Sequence, residues 1–461
     1  MARKRLCLRQ PVQESGGMEH TDRETSPLKW ATQAAAAPPE TVNAREALRL
    51  HWVHSAEDLD EDNQGYAPMF VHQLFADEQI RGYRSPRLRC YFASRTLKSF
   101  IRFDHDGEIE GADGDRTDVA RVIDQHVPLS CGRFAHWDAF CQHALEEQHS
   151  TTVPFRAVVD SYKIDGQTYT VYRSVLADPA EAAGRAFHAR AQFLMLVSID
   201  AASYIDDRDG RWSMYAVFAD ASGRFIGYAT VCRFAGLFAK GQDQPPVDEM
   251  SRRARVAQMV VLPPYQGCGH GRHLLQSMYV DLTRPSSAAT EAGAQSMPPL
   301  RVVEITVEDP SPAFSRLRDA VDVEWVWRRR DRIGQWARSI GHDTDAPTEA
   351  QLREYGATTC LTAVQLRRVY ELLRFRALQR RFGSEEEASS DEALAAYRQY
   401  RLSVKRRLYR EHAEVLEPAS DAERKAQLDE LYHERVHASY CRTLAALRAN
   451  GCCFFPPESN E

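Results

Sequence analysis

A glycine-rich turn stands between an apolar run and a helical pattern, where the backbone can bind an anion. Residues 256–262 have the composition of a buried strand, Pro263 and Pro264 end it, and residues 266–271 form the turn QGCGHG. Four apolar residues then recur at helical spacing: Leu274, Leu275, Met278 and Leu282. Glycines let the backbone approach a phosphate, and the free amides and dipole of a helix N-terminus favour negative charge. We therefore predict a phosphate-binding site at this turn.

The order of the glycines narrows the kind of phosphate ligand. The Gly-Lys-Ser/Thr of a nucleotide-binding P-loop does not follow the turn, and the glycine order differs from that of dinucleotide-binding folds. The pattern Gln266-x-x-Gly269-x-Gly271 instead resembles the pyrophosphate-binding signature of the GCN5-related N-acetyltransferases. On the turn alone, an ordinary glycine turn without a ligand stays open as the alternative.

Two carboxylates follow the next predicted strand. Residues 302–307 have a strand pattern, Glu308 and Asp309 come directly after it, and Ser311 with Pro312 has the pattern of a helix start. A carboxylate at a strand end can act as a general base, and the apolar strand beside Glu308 predicts a desolvated, proton-accepting group. We predict Glu308 as the catalytic residue and expect Asp309 to cap the helix that follows.

The composition is that of a globular protein without a membrane segment or a metal site. The 461 residues suit two or three domains, and no apolar run approaches the roughly 20 residues of a membrane span. The ten cysteines form neither a CxxC pair nor a Cys/His metal spacing, so we expect a reduced, intracellular protein without metal. The net charge of −6 argues against direct binding of nucleic acid and is compatible with a basic protein partner.

Changes of composition along the chain predict four regions. Residues 1–41 are basic at the start and poor in large apolar residues, which is typical of a disordered extension. Residues 42–150 mix strands and helices, residues 151–320 hold the glycine turn and both carboxylates, and residues 321–461 have a helical composition. Surface insertions are expected at three places: 283–300, 340–350 and 383–393.

Motifs spread over the three folded regions resemble those of the catalytic subunits of type B histone acetyltransferases. They are VHQLFADEQIRGY (71–83), FLMLVSIDAASYIDDRDGRW (193–212), RVAQMVVLPPYQGCGHGRHLL (255–275), ITVEDPSPAFSRLRD (305–319), LRRVYELLR (366–374) and YRQYRLSVKRRL (397–408). The resemblance implies a mixed α+β fold: a GCN5-related N-acetyltransferase core with an α/β N-terminal domain and a helical C-terminal domain. It also implies transfer of acetyl from acetyl-CoA to lysines in the N-terminal tail of free, newly synthesised histone H4.

Carried over position by position, the resemblance assigns roles to further residues. Acetyl-CoA would contact the strand backbone and the glycine turn, at Met259, Val260, Val261, Gln266, Gly267, Cys268, Gly269, His270, Gly271 and Arg272. The histone tail would meet an acidic segment, an aromatic residue and part of a strand, at Asp77, Glu78, Trp212, Cys232, Arg233 and Phe234. The implied partners are histone H4, together with H3, and a WD40-repeat histone-binding subunit, and the implied compartments are the nucleus and the cytoplasm.

The chain departs from the family pattern in its tail contacts, in two residues near CoA and in the additional insertions at 283–300 and 383–393. Residues 232–234 stand where the family has an aromatic-rich contact to the tail, and the acidic segment after HQLF is one residue shorter. Ala313 and Ala320 replace larger or polar residues that can touch CoA.

Two other functions and other mechanisms stay open. The first is an acetyltransferase for another protein or for a small-molecule amine. The second is a catalytically inactive histone chaperone. Cys268 admits an acetyl-cysteine intermediate with His270 as its base, although both lie in the phosphate turn, where we expect His270 to order the loop. If Glu308 is not the base, the remaining candidates are Asp309, Asp200 or a chain of water molecules.

Overall fold

The computed structural model describes residues 41–60, 63–111, 114–150, 152–235, 251–284, 301–330 and 347–449. Within these ranges the fold is mixed α+β, as predicted, with a central sheet, an N-terminal α/β part and a helical C-terminal part. Residues 1–40 of the predicted extension, and most of the predicted insertions at 283–300 and 340–350, lie outside the described residues.

The central sheet consists of six strands and holds both predicted chemical segments. The described strands are β1 (Thr41–Asn43), β2 (Leu48–Val53), β3 (Gln79–Arg81), β4 (Arg87–Ala93), β5 (Ser99–Asp104), β6 (Ala157–Ile164), β7 (Gln167–Val175), β8 (Trp212–Ala219), β9 (Phe225–Ala235), β10 (Ser251–Val261) and β11 (Arg301–Val307). The sheet order is β11-β10-β9-β8-β7-β6, with β10 and β11 parallel and every other neighbouring pair antiparallel. The strand before the glycine turn and the strand before the carboxylates are therefore neighbours.

Helices flank the sheet and fill the C-terminal part. They are α1 (Ala44–Ala47), α2 (Val119–His126), α3 (Trp137–Glu147), α4 (Ala182–Ser198), α5 (His270–Thr283), α6 (Pro312–Arg328), α7 (Glu349–Thr359), α8 (Ala363–Phe382), α9 (Asp391–Glu411), α10 (Ala413–Leu416), α11 (Asp421–Tyr432) and α12 (Cys441–Ala449), with a π-helical segment, His433–Tyr440, before α12. Capping boxes start three of the C-terminal helices, from Thr348, Thr362 and Ser420. The predicted helical C-terminal region is thus confirmed for its described residues.

The N-terminal part covers one face of the central sheet. It contains a three-stranded sheet, β2-β4-β5, and the strand pair β1-β3. One hydrophobic cluster joins Leu50 and Cys90 of this part, Phe187 of α4, and Met214 and Tyr228 of the central sheet. Helix α4 therefore lies in the layer between the N-terminal strands and the sheet that carries the glycine turn.

The opposite face of the central sheet is covered by α5, α6 and the C-terminal helices. A second hydrophobic cluster contains Leu274 of α5, Val323 of α6 and Leu372 of α8 together with Val256 of β10. The backbone amide of Ile305 in β11 donates to the carbonyl oxygen of Cys360 at 2.8 Å, which attaches the C-terminal part to the edge of the sheet. Helix α6 crosses the predicted boundary at residue 320, and it belongs to the same packed core on both sides.

Buried ion pairs link α6 with α8, and α8 with α9. The guanidinium Nε of Arg368 on α8 lies 2.9 Å from Oδ1 of Asp319 on α6, and both side chains are almost fully buried. Arg407 Nε lies 2.7 Å from Glu371 Oε1, and the Tyr440 hydroxyl donates to Glu371 at 2.8 Å. Each buried charge depends on its partner, because an unpaired ion inside a protein is costly.

Replacing Asp319 with alanine is expected to lower the free energy of unfolding by about 3–5 kcal/mol, because it leaves the Arg368 guanidinium buried without its carboxylate. Glu349→Ala serves as the control: it removes a carboxylate that pairs with Arg367 but is 68% exposed, so it should cost less than about 1 kcal/mol. Denaturant unfolding measures both variants. Equal, small losses in the two would contradict the structural role assigned to the buried pair.

Candidate active site

The glycine turn has a left-handed backbone at two of its three glycines. Gly267 has a φ of 78° and Gly269, which is the N-cap of α5, a φ of 95°. A Cβ at Gly267 would have no neighbour within 4 Å among the described atoms, and one at Gly269 would meet Ile164 Cδ1 at 3.8 Å. The space around these two residues is therefore open, and the conformation explains why glycine is needed there. This open turn at the start of a 14-residue helix fits a pyrophosphate.

The third glycine is needed for packing. A Cβ at Gly271 would lie 3.2 Å from Leu317 Cδ2 on α6 and 3.7 Å from Met259 Cε on β10. The first turn of α5 is therefore seated closely between the strand and α6.

The side chains of His270 and Arg272 turn away from the phosphate position. His270 is 2% exposed, with Nδ1 2.8 Å from the Tyr162 hydroxyl, as expected of a residue that orders the loop. Burial, with a smaller contribution from His273, lowers the pKa of His270 to about 4, so its ring is neutral at pH 7. Arg272 Nη2 lies 2.7 Å from the buried Glu324 carboxylate of α6. Both residues can still offer their backbone amides to a ligand.

Strand β10 has a free edge directly before the glycine turn. Its pairing with β11 ends where Val256 faces Val307, and the amide of Glu308 still donates to the carbonyl of Val256 at 2.9 Å. Beyond this point β10 continues with β9 as its partner, after a register shift between Val256 and Gln258. Such a bulge changes the direction of the strand and is common near functional sites.

Along this free edge, the backbone amide and carbonyl groups of successive residues point alternately towards β9 and towards the gap that β11 leaves. The amide of Leu262 donates to Ile226 on the β9 side at 2.9 Å, whereas the carbonyl of Val261 accepts from the Gln266 side chain at 2.8 Å. Because successive residues of a strand point in opposite lateral directions, Met259 and Val261 direct their amides towards the gap, and Val260 directs its amide towards β9. Two amide donors on this edge, those of Met259 and Val261, thus point into the gap.

Glu308 lies where β11 separates from β10. Its side chain is 51% exposed, and Oε1 lies 3.7 Å from Nη1 of Arg255 on β10. The guanidinium of Arg255 also stacks 5.0 Å above the ring of Phe234 on β9. The apolar surroundings that the sequence predicted for Glu308 are therefore wrong: its neighbours are a cation and solvent.

Asp309 does not cap the following helix. It lies in an exposed turn with a φ of 32°, and the N-cap of α6 is Ser311, whose Oγ accepts from the amide of Phe314 at 3.1 Å. The predicted helix start at Ser311 and Pro312 is confirmed, but the predicted capping role of Asp309 is wrong because Ser311 stands directly before the helix.

A row of side chains on one face of the sheet connects the predicted tail-binding residues with Glu308. Trp212 on β8 lies opposite Cys232 on β9, which lies opposite Arg255 on β10. Directly opposite residues share a face of a sheet, and so do residues two apart in one strand. Phe234 therefore belongs to the row, and we call the set of Trp212, Cys232, Phe234, Arg255 and Glu308 the Trp212–Glu308 row.

Arg233 does not belong to this row. Because side chains alternate along a strand, it lies on the other face of β9, where its Nη1 donates to Ser213 Oγ at 3.3 Å. The structure thus brings Trp212, Cys232 and Phe234 together and separates Arg233 from them.

The predicted acidic segment forms a strained turn beside a histidine. Asp77 and Glu78 have φ values of 55° and 57°, and their side chains are 75% and 45% exposed. Glu78 Oε1 lies 3.8 Å from Nδ1 of His72, whose Nε2 is 3.3 Å from Oδ1 of Asp200. Two carboxylates, those of Glu78 and Asp200, therefore flank one imidazole, while the Asp77 carboxylate lies 3.4 Å from Nη2 of Arg81.

The segment that begins at Asp200 connects these acids with β10. Three residues later, the carbonyl of Ser203 accepts from Nε2 of Gln258, which lies on β10 just beyond the bulge, at 2.8 Å. On the other side, Gln73 Nε2 donates to the carbonyl of Leu196 at 2.8 Å. The acidic segment and the free edge of β10 are thus held by the same short stretch of chain.

Three residues of this site were not predicted from the sequence: His72, Arg255 and Gln258. All three lie within motifs that also carry predicted residues, and Arg255 is recognisable only once the pairing of β9 with β10 is known. In the ranges that the structure describes, three or more His, Cys, Asp or Glu side chains nowhere gather as they would around a metal ion. The described helices include none long and apolar enough to cross a membrane.

Two family models match the chain. The model described as the N-terminus of the histone acetyl transferase HAT1 matches residues 40–200, and that of the acetyltransferase (GNAT) family matches residues 184–284. The second range includes β10, the glycine turn and α5.

Curated relatives match over most of the chain, and three of them, from Candida glabrata, Kluyveromyces lactis and human, are named histone acetyltransferase type B catalytic subunit. The protein of Candida glabrata is 30% identical, over 62% of this chain and 69% of its own length. That of Kluyveromyces lactis is 29% identical, over 88% of this chain and 92% of its own length. The human protein is 28% identical, over 79% of each chain.

Proposed function

Because the chain belongs to the family of type B histone acetyltransferase catalytic subunits, we propose that it acetylates lysines in the N-terminal tail of free, newly synthesised histone H4. Acetyl-CoA is the proposed co-substrate, bound at the glycine turn and at the free edge of β10. The observation that carries the proposal is the meeting of three parts at one place. They are an anion-binding helix start, a strand edge with unused amides, and a carboxylate at the end of the neighbouring strand.

The lysine must lose a proton before it attacks the thioester. With an ordinary pKa near 10.4, only about one lysine in 10³ to 10⁴ is neutral at pH 7, so deprotonation costs about 4–5 kcal/mol. We assign the proton-accepting role to Glu308, directly or through a water molecule, because its exposed carboxylate can meet an incoming side chain. Arg255 is close enough to hold that carboxylate at the mouth of the gap.

We propose that amides of the β10 edge stabilise the developing negative charge. Attack on the thioester carbonyl produces an oxyanion, and a backbone N–H directed at that oxygen lowers the barrier. Met259 and Val261 direct their amides into the gap, whereas the amide of Val260 is on the β9 side. We therefore assign the oxyanion contact to a neighbour of Val260 rather than to Val260 itself.

The geometry argues against an acetyl-cysteine intermediate on Cys268. Its thiol is exposed on the phosphate turn and lies 3.6 Å from the carbonyl oxygen of Gln266. The imidazole of His270 is buried, and its Nδ1 is already hydrogen-bonded to the Tyr162 hydroxyl, whereas the thiol is exposed. Direct attack by the lysine is the mechanism that we propose.

The histone tail is proposed to lie along the acidic turn and the Trp212–Glu308 row. A Lys/Arg-rich tail complements the exposed carboxylates of Asp77 and Glu78. The aromatic rings of Trp212 and Phe234 offer apolar surface to the aliphatic parts of its side chains. Gln258 and His72 hold the connecting segment in place.

Changing Asp77 and Glu78 together to alanine is expected to raise the KM for an H4 tail peptide about tenfold at low salt, because two exposed charge contacts are lost. The difference from wild type should shrink as salt rises and screens the contacts. Steady-state kinetics with varied peptide measures the effect, and acetyl-CoA affinity should not change. Glu414→Ala/Glu417→Ala, which removes two exposed acids of the C-terminal part, is the matched control. An equal rise in the control would contradict a specific contact.

Family membership also supports proposals about partners and location. We propose that the protein works on H4 together with H3, that it binds a WD40-repeat histone-binding subunit, and that it acts in the nucleus and the cytoplasm. It is not proposed to contact nucleic acid directly, since the chain carries a net charge of −6.

Competition among substrates tests the proposed function. Purified protein is incubated with acetyl-CoA and an equimolar mixture of the four core histone tail peptides, and mass spectrometry locates the acetylated lysines. Preferred modification of H4 is the expected result. Equal modification of all four tails, or faster modification of a small amine, would favour an acetyltransferase of other specificity, and no modification would favour the inactive chaperone.

A further inference from the structure

The outward face of the three-stranded N-terminal sheet carries a row of arginines in direct register. Arg49 on β2 lies opposite Arg89 on β4, which lies opposite Arg102 on β5. Arg87 stands two residues before Arg89, so it shares this face. We call these four residues the arginine face. Like charges directly opposite each other destabilise a sheet, so folding alone does not account for the row.

The core does not require this arrangement. The residues that alternate with the arginines, such as Leu50, Cys90 and Ile101, point to the other face and form the hydrophobic cluster with α4. On the outward side, α3 covers the part of the sheet around Tyr91, through Phe140. The arginine face continues beyond the covered part.

Two carboxylates partly compensate the four guanidinium groups. Asp104 lies 2.9 Å from Arg102 and 3.6 Å from Arg89, and Asp106 lies 2.8 Å from Arg87. Burial, with smaller contributions from Arg89 and Arg49, lowers the pKa of His51 to about 4. The positive charge of the arginine face therefore also acts on this buried residue. The face is thus locally cationic on a chain of net charge −6.

A concave site lies within this face. It has a volume of about 440 Å³ and is lined by Arg87, Arg89, Arg102, Phe103, Asp104 and His105. Neighbouring strands are about 4.8 Å apart, so the row spans roughly 10 Å. Side chains on one side of an extended peptide repeat about every 7 Å, so acidic residues at alternate positions have carboxylates at this spacing. The flexible arginine side chains can adjust to it and form bidentate hydrogen bonds with these carboxylates.

We propose that the arginine face binds an acidic peptide segment of a protein partner. Charge complementarity carries the choice, since guanidinium groups pair with carboxylates in a planar, bidentate geometry. The interleaved Asp104 and Asp106 would oppose the continuous charge of a nucleic acid backbone. An extended peptide can place its acids beside the arginines and its neutral residues beside these aspartates. The inference is independent of the proposed catalytic role, because the arginine face shares no residue with the Trp212–Glu308 row.

Fluorescence anisotropy with the full chain and a short labelled oligoglutamate tests the proposal. We expect saturable binding that weakens with salt and is reduced about tenfold or more in Arg89→Gln/Arg102→Gln, which loses two charged contacts. The control Arg121→Gln/Arg410→Gln, at exposed positions on α2 and α9, should bind like wild type. Acetylation of a histone tail peptide should be unchanged in both variants.

Other outcomes would overturn the proposal. Absent binding, or equal affinity in wild type and the Arg89→Gln/Arg102→Gln variant, would remove the site. Displacement of the peptide by an oligonucleotide of matched charge at lower concentration would assign the face to nucleic acid, and displacement by inorganic phosphate at lower concentration would assign it to a compact anion. If the glutamine variant does not fold, Arg89→Lys/Arg102→Lys decides: weaker binding supports guanidinium–carboxylate pairing, and unchanged binding overturns it.

Discussion

Replacing Gly269 with aspartate is expected to abolish acetyl-CoA binding while the protein stays folded. The new carboxylate would stand at the N-cap of α5, where it can bond the free helix amides and occupy the phosphate position itself. Two unit charges about 4 Å apart near a protein surface repel by about 4 kcal/mol, which corresponds to roughly a thousandfold loss of affinity. Isothermal titration calorimetry with acetyl-CoA measures the loss, and circular dichroism monitors the fold.

The control for this variant should introduce the same backbone strain at a position away from the glycine turn. Gly111→Asp does so, because Gly111 also has a positive φ, of 80°, and no described atom lies within 4 Å of a Cβ added there. Both variants force an L-residue into the left-handed region, at a cost of about 1–2 kcal/mol. Only Gly269→Asp should lose acetyl-CoA. Normal affinity in Gly269→Asp would show that the turn does not hold the pyrophosphate.

Replacing Glu308 with glutamine is expected to lower kcat about 10²–10⁴-fold, the usual contribution of a general base. Glutamine keeps the size of the side chain but cannot accept the proton. Acetyl-CoA affinity should stay the same, since the glycine turn is unchanged. The loss should become smaller as pH rises from 7 to 9, because a larger fraction of the lysine then arrives neutral. Single-turnover rates over this pH range measure it.

Matched variants distinguish Glu308 from its neighbours. Asp309→Asn changes the adjacent exposed carboxylate, and Asp200→Asn changes the one beside His72. Both should retain kcat within about tenfold if Glu308 is the base. A near-normal kcat for Glu308→Gln between pH 6 and 9, with a large loss in either of the others, would transfer the role to that residue.

The local elements of the site could be predicted from the sequence because each depends on neighbouring residues. The glycines, prolines and apolar periodicity around residues 256–282 predicted a strand, a turn and a helix, and the structure has β10, the turn and α5 there. Ser311 with Pro312 likewise predicted the start of α6.

The environment of the site could not be predicted, because it depends on strand pairing. Arg255 reaches Glu308 because β10 and β11 are parallel neighbours. No local sequence pattern shows that these two strands pair or in which register. The contact of Arg233 with Ser213 likewise depends on the pairing of β9 with β8. The sequence likewise gave no sign that α6 carries the acid that pairs with Arg368 in the core.

We propose that acetyl-CoA and the histone tail meet in one site, at the free edge of β10. A conjugate in which CoA is joined covalently to the lysine of an H4 tail peptide tests this most directly by calorimetry. If they do, the conjugate should bind more tightly than CoA or the peptide alone. Gly269→Asp and Asp77→Ala/Glu78→Ala should then each weaken conjugate binding, through opposite ends of the molecule. A conjugate that binds no better than CoA and is unaffected by the Asp77→Ala/Glu78→Ala change would contradict the proposal.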